Sequence, residues 1–93
     1  MKRLITIADT TLEFYNYKKD DLNIIEFDAT QCQQPEPMIN SIYALKMLKD
    51  KNDRLIGRYF HTPFPLFQKI EEFFDIDAKE LDNGDVEVVF KRK

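Results

Sequence analysis

The sequence predicts an α/β (α+β) fold, a two-layer sandwich in which a βαβαββ chain packs two helices on one face of a mixed four-stranded sheet. Three features lead to this prediction. Two short apolar segments, residues 22–29 and 54–60, are each followed by a helical pattern that begins with proline, and a hairpin signal stands near the end of the chain. We expect a single domain, because 93 residues cannot supply two separate hydrophobic cores.

The first strand and helix are predicted from a change in apolar spacing. In residues 22–29, Ile25 and Phe27 alternate with acidic neighbours, which is typical of a strand with one buried face. A helix is then expected from Pro37 onward, because the missing backbone N–H of proline costs nothing in the first turn. The apolar positions of this helix follow three- and four-residue spacing: Met38, Ile42, Leu45 and Leu48.

The second strand and helix repeat this arrangement. Residues 54–60 alternate in character, and Gly57 among them indicates a close backbone approach. Thr62 and Pro63 have the residue types of a helix N-cap and first turn. We expect Phe64 to be partly exposed and the rest of the apolar stripe to be buried: Leu66, Phe67, Ile70, Phe73 and Phe74. The alternative is that some of the aromatic side chains form an exposed interface patch.

A C-terminal hairpin is predicted around Asn83 and Gly84, which separate the strand-like residues 78–82 from residues 85–91. Asn-Gly is typical of a two-residue hairpin turn in which both residues have positive φ. These two segments are therefore the last two strands of the predicted sheet.

Residues 1–21 are predicted to be an N-terminal extension of a domain that spans residues 22–93. Residues 3–7 resemble a strand, and two interpretations of the residues after them stay open. Thr10 and Glu13 have the spacing of a capping box, which favours a short helix, whereas residues 12–17 equally suit the second strand of a hairpin. In both cases we expect the aromatic side chains to pack on the domain rather than to form a partner-binding arm.

Charge and composition argue against several classes of partner. The formal charge is −3, with acidic and basic residues mixed along the chain, so no nucleic-acid surface is predicted. The basic run at residues 91–93 is expected to be a solvated end. No apolar stretch approaches the ~18 residues of a membrane span, and the first residues lack the apolar core of a signal peptide. We therefore expect a soluble, cytoplasmic protein without membrane contact, as a monomer or a weak homodimer.

The inventory of reactive side chains is equally restrictive. One cysteine and one histidine cannot form a structural zinc site of thiolates and imidazoles. No nucleophile stands at motif spacing from a base and an acid. We expect no catalytic residues, no metal and no cofactor, and hence a protein that is not an enzyme.

The segment after the first predicted strand carries Asp28, Pro35 and Pro37. Their spacing resembles Leu-Asp-x-x-Gly-x-x-Cys-Pro-x-Pro, the motif of the TusA/SirA family of small bacterial sulfur carriers, in which the cysteine carries a persulfide. Gln31 stands here in place of the glycine, and Gln34 in place of the carrier cysteine.

A related bacterial family of unknown function, which lacks the carrier cysteine, is more similar still. It keeps the aspartate, a Pro-Glu-Pro-Met run and a His-x-x-Pro-x-Pro-Leu segment. In this chain that segment is His61-x-Pro63-x-Pro65-Leu66, with one residue fewer after the histidine. The resemblance covers residues 23–93 and implies a sulfur-carrier-like fold. Two segments are the expected ligand- or partner-binding site: Gln34, Pro35, Glu36, Pro37 and Met38, together with His61 and Pro65.

Cys32 lies two residues before the position of the carrier cysteine. The amide of Gln34 can neither ionise nor accept sulfane sulfur, so a carrier function would require Cys32. One interpretation of Cys32 is a small, buried apolar side chain, and the other is a displaced reactive thiol. His61 also has two interpretations, either a ligand-binding group after a strand or a residue that fixes its loop by a hydrogen bond to a carbonyl.

The leading hypothesis is a non-enzymatic binding or adaptor domain with a sulfur-carrier-like fold, which recognises a protein partner or a small ligand. The alternative is a sulfur-transfer or redox carrier that uses Cys32.

Overall fold

A computed structural model describes all 93 residues as one six-stranded mixed sheet with two helices. The elements in chain order are β1 (Arg3–Ile5), β2 (Phe14–Lys19), β3 (Leu22–Asp28), α1 (Glu36–Leu45), β4 (Asp53–Tyr59), α2 (Phe64–Ile70), β5 (Phe74–Glu80) and β6 (Val86–Arg92). The strand order is β1-β2-β3-β4-β6-β5, with β3 and β4 parallel and the other neighbours antiparallel. The general α/β class is confirmed, and the prediction of four strands is wrong. Neither helix has the length and apolar character needed to cross a membrane.

The two additional strands come from the N-terminal residues. β1 pairs with β2 and β2 pairs with β3, so residues 3–19 extend the sheet. Asp20 and Asp21 join β2 to β3 as a two-residue turn, with φ of 52° and 66°. Turns with two positive φ values match the twist of an antiparallel pair. The strand interpretation of residues 12–17 is therefore correct, and the capping-box helix does not form.

The buried face of α1 differs from the one that its apolar spacing indicates. Met38 and Ile42 are only partly buried, and the buried residues of the helix are Pro37, Asn40, Ser41, Ala44 and Leu45. Asn40 and Ser41 can be buried because each finds hydrogen-bond partners. Buried polar groups with partners are therefore part of the contact between α1 and the rest of the chain.

The second helix is shorter than predicted, because α2 ends at Ile70 and Phe74 begins β5. Phe73 stays 65% exposed, so its assignment to the core is wrong, and Phe64 is exposed to a similar degree. The N-cap residue is Pro63 rather than Thr62, and no side chain caps this helix.

The last two strands form the predicted hairpin, but its turn is of another type. Gly84 has a φ of 93°, whereas Asn83 is not among the residues with positive φ. The N–H of Gly84 donates to the carbonyl of Leu81 at 2.9 Å, and the side-chain oxygen of Asn83 accepts from the N–H of Asp85 at 3.0 Å. This is a three-residue loop in which glycine follows a tight turn. The predicted two-residue turn is therefore wrong.

The helices and one face of the sheet share a single hydrophobic core of fifteen buried residues. At its centre, the Phe14 and Phe27 rings lie 4.9 Å apart, and Phe27 meets Tyr59 edge to face at 5.8 Å. Gly57 pairs with Phe27 across the parallel strands. A Cβ at Gly57 would lie 2.8 Å from the Tyr59 ring and 2.9 Å from the Phe27 ring. The close approach at Gly57 is thus made by two aromatic side chains, whereas the sequence predicted an approach of backbone.

Asn40 connects the N-terminal segment to α1 through a completely buried amide. Its side-chain oxygen accepts from the backbone N–H groups of Thr11 and Leu12 at 2.8 and 3.1 Å. Its NH₂ group donates to the Thr11 hydroxyl and to the Glu36 carbonyl. The Thr11 hydroxyl in turn donates to the Glu36 carboxylate at 2.6 Å. The segment between β1 and β2 is therefore bound to the first two turns of α1.

We expect Gly57→Ala to lower the free energy of unfolding by about 1–3 kcal/mol, because the added methyl group forces the two rings apart. Chemical denaturation of Gly57→Ala, of Phe27→Leu and of the double variant measures this. The smaller leucine should relieve part of the clash, so the losses of the two single variants should add to more than the loss of the double variant. A Gly57→Ala protein within about 0.5 kcal/mol of the parent would show that the rings move at little cost.

We expect Asn40→Ala to lower the free energy of unfolding by about 2 kcal/mol or more, because the N–H groups of Thr11 and Leu12 lose their acceptor. Limited proteolysis should also cleave the variant faster within residues 6–13. Thr11→Val is the matched control, since it removes only the hydroxyl and should cost less than about 1 kcal/mol. Equal losses in the two variants would contradict the role given to the Asn40 amide.

Candidate functional site

The ends of the two parallel strands define a crevice. Because β3 and β4 run in the same direction, the segments that follow them leave the sheet at the same edge. Together these segments enclose a cavity of about 280 Å³, which we name the β3–β4 crevice. Cys32, Gln34 and Pro37 line one side, and His61 and Pro65 are on the other.

The structure thus brings five of the residues singled out in the sequence to one cavity, and it leaves three outside its lining. Glu36 accepts a hydrogen bond from Thr11, and Met38 packs against the hydrophobic core. Pro35 is the N-cap residue of α1. Each of the four residues in the Pro-Glu-Pro-Met run therefore has a different environment, and only Pro37 faces the crevice.

Six of the eleven lining residues were not singled out in the sequence, and Phe60 is the one among them with a large, exposed apolar side chain. Its side chain is 60% exposed at the mouth of the crevice. Alternation along β4 contains the signal that could have found it. Since Gly57 and Tyr59 are buried, the next residue points away from the core, and Phe60 is a large apolar residue at an outward position. An exposed aromatic side chain beside a cavity is typical of binding surfaces.

The base of the crevice is held by a buried pair of hydroxyl groups. The Ser41 hydroxyl donates to the carbonyl of Pro37 at 2.6 Å, and its oxygen lies 2.6 Å from the Tyr59 hydroxyl. Because Ser41 has a single hydroxyl proton, Tyr59 is the donor in the second bond. Burial raises the pKa of Tyr59 far above that of an exposed phenol. Tyr59 is therefore a neutral structural group.

His61 is exposed, and its imidazole lies against the Phe60 ring with the ring centroids 4.4 Å apart. This contact is with an aromatic ring and not with a loop carbonyl, so the structure does not contain the hydrogen bond considered in the sequence analysis. Both nitrogen atoms of the ring remain free to bind a ligand. His61 and Phe60 together present a polar and an apolar contact at the same mouth.

Cys32 is half-buried and packs against the core. Its thiol lies 3.4 Å from the carbonyl of Ala29, to which it donates a weak hydrogen bond. Burial raises the pKa of the Cys32 thiol, and the negative charges of Glu36 and Asp28 raise it further. These effects outweigh a hydrogen bond from the backbone that favours the thiolate. Reactive cysteines lie instead in electropositive surroundings that lower the pKa of the thiol, so the surroundings of Cys32 do not activate it.

Asp28 has a local structural role. One oxygen of its carboxylate accepts hydrogen bonds from the backbone N–H and the hydroxyl of Thr30, at 2.8 and 2.6 Å. This arrangement stabilises the turn that leaves β3. The carboxylate therefore shapes the loop that leads to Cys32.

A larger cavity, of about 570 Å³, lies on the sheet face opposite the helices. The cationic groups in its lining are already paired, Lys2 with Glu26 and Arg58 with Glu87. We assign the candidate site to the smaller β3–β4 crevice, because that cavity joins the two sequence segments and has unpaired polar groups. No three His, Cys, Asp or Glu side chains in the chain are placed to hold a metal ion.

Comparison with known proteins adds no relative. No protein-family model, no curated protein and no solved structure matches this chain.

We expect iodoacetamide to alkylate Cys32 severalfold more slowly in the folded protein than in the urea-unfolded protein at pH 7.5. Only the thiolate reacts, and the raised pKa of the folded state reduces its population at that pH. The folded-state rate should therefore still rise as the pH passes through the unfolded-state pKa of about 8.5.

Glu36→Gln is an internal test of this explanation. It removes a negative charge that raises the pKa of Cys32, so alkylation of the folded variant should be faster. A folded parent protein that reacts as fast as the unfolded chain would instead identify an activated thiol.

Proposed function

We propose that this protein is a non-enzymatic binding or adaptor domain with a sulfur-carrier-like fold that lacks the carrier cysteine. It engages a protein partner or a small ligand at the β3–β4 crevice. The family relationship to TusA/SirA-like proteins is part of the proposal, as are a cytoplasmic location and a monomeric or weakly dimeric state.

The observation that carries the proposal is the composition of the crevice. His61 and Gln34 offer hydrogen-bonding groups next to the exposed ring of Phe60, in a cavity between the ends of two parallel strands. Ligand sites in α/β folds are typically at such strand ends and combine apolar surface with a few polar groups. This combination of groups favours the binding of a ligand or a protein partner.

The lining argues against catalysis. It contains one histidine and no carboxylate, so the histidine has no acidic partner in the cavity. The two other titratable groups, Cys32 and Tyr59, both have raised pKa values. A general base with an activated nucleophile is therefore not present among these residues.

The fold resemblance supports the proposal at the level of element order. From Leu22 onward the elements follow the order βαβαββ, with α1 starting at the Pro-Glu-Pro-Met run. Gln34 lines the crevice at the position that the carrier cysteine has in the motif. An amide at this position can donate and accept hydrogen bonds, which suits recognition of a polar group.

The second candidate function is sulfur transfer through Cys32, and it is favoured by one observation, the presence of the thiol in the crevice lining. Incubation with a cysteine desulfurase and cysteine, followed by mass spectrometry of the intact protein, tests it. A persulfide adds the mass of one sulfur atom at Cys32, and Cys32→Ser is the control.

Photocrosslinking in cells tests the binding proposal. A benzophenone amino acid at Phe60 should form adducts of defined mass, because the side chain lies at the mouth of the crevice. The same residue at Leu4 is the matched control, since Leu4 on β1 is 59% exposed and Phe60 is 60% exposed. His61→Ala should reduce the Phe60 adducts at least threefold while the melting temperature changes by less than about 2 °C.

Adducts of equal yield from Leu4 and Phe60 would contradict a specific site. A small ligand leaves no protein adduct, and it is detected instead by mass spectrometry of the native protein as purified. The proposal fails if neither a crosslinked partner nor a bound ligand depends on His61.

A further inference from the structure

An apolar slot, separate from the two cavities described above, lies between the ends of the two helices and the sheet. Its volume is about 270 Å³, and Phe73 and Phe74 form one wall. Ile42 and Leu45 of α1 and Ile70 at the end of α2 form the rest of the apolar lining. The carboxyl-terminal ends of the helices lie here, whereas the β3–β4 crevice is near the start of α1, so the two cavities are separate.

The charged groups of this slot have only one sign. Lys46 and Arg92 complete the lining, and no acidic residue is part of it. The chain as a whole has a formal charge of −3, so a purely cationic rim is a local departure from its composition. Glu71 and Glu72, the acidic residues next to Ile70 in the sequence, are exposed and outside the lining.

Neither cation is neutralised by a carboxylate. The ion pairs of the chain are those of Lys2 and Arg58, and neither involves the slot. The Lys46 amine lies 4.8 Å from the centroid of the Tyr43 ring, a cation–π contact that does not neutralise its charge.

Arg92 keeps most of its hydrogen-bonding capacity. It donates to the carbonyl of Leu48, just beyond α1, through a long bond of 3.4 Å. This bond helps to offset the partial negative charge at the end of the helix. A guanidinium group has five N–H donors in a fork that matches a carboxylate, so several of them remain for a ligand.

We propose that this slot binds an aliphatic carboxylate, with its alkyl chain along Phe73 and Phe74 and its carboxylate at Lys46 and Arg92. Charge complementarity selects the anionic head group, and the apolar lining selects the tail. The volume of about 270 Å³ lies just below the range of about 300–1,000 Å³ typical of drug-sized ligand pockets, which suits a slender ligand. The exposed position of Phe73, which packing of the core does not require, is then explained by contact with the tail.

Titration of the ¹⁵N-labelled protein with decanoate, below its micelle-forming concentration, tests the proposal. Chemical-shift changes should cluster at the slot and saturate. Decylammonium has a tail of the same length and the opposite charge, and it should bind at least about tenfold more weakly. Arg92→Gln and Lys46→Gln should each weaken decanoate binding by about threefold to tenfold.

Phe73→Ser should also weaken decanoate binding, whereas Leu4→Ser, at an exposed apolar position on β1, should leave it unchanged. Equal binding of decanoate and decylammonium would overturn the proposal, because the cations would then have no role in recognition. Shift changes at the β3–β4 crevice instead of the slot would also overturn it. So would tighter binding at the slot by an acetylated peptide ending in Leu-Phe, which would indicate a protein C-terminus as the occupant.

Discussion

The packing of the Phe27 and Tyr59 rings against Gly57 connects the core to the β3–β4 crevice. Phe27 and Gly57 are partners across the parallel strands, and a residue without a Cβ leaves room there for the Tyr59 ring. The Tyr59 hydroxyl then reaches Ser41, which holds the carbonyl of Pro37 at the start of α1. The position of the helix start, and with it one wall of the crevice, therefore depends on a strand residue that has no side chain.

Local patterns predicted those parts of the fold that depend on neighbouring residues. The bounds of β3 and β4 and the starts of both helices differ from the expectation by about one residue, because alternation and proline act over short distances. The predicted end of α2 was wrong, because Phe73 and Phe74 suit a helical stripe as well as a strand. Pairing of Phe74 with Arg92 decides for the strand. β2 joins the sheet through the contact between the Phe14 and Phe27 rings, which are far apart in the sequence and which no local pattern brings together.

The crevice shows why a contiguous motif is a poor guide to individual side chains. Its two segments could be predicted, because the ends of parallel strands meet at one edge of the sheet. Successive residues of a helix, however, point in directions about 100° apart, since a turn contains 3.6 residues. Glu36, Pro37 and Met38 therefore face Thr11, the crevice and the core respectively. Phe60 is not part of any motif, and only its outward position in the alternating segment identifies it as a site residue.

The buried amide of Asn40 has a consequence for the uniqueness of the native state. An apolar side chain at this position could not accept hydrogen bonds from backbone N–H groups, and an amide without hydrogen-bond partners is itself costly in a protein interior. Its oxygen is satisfied by two consecutive N–H groups, those of Thr11 and Leu12. A displacement of that segment by one residue would break this match and turn Phe14 away from the core. The amide oxygen thus adds a polar requirement to the burial of Phe14, and both are met in only one pairing of β2 with β3.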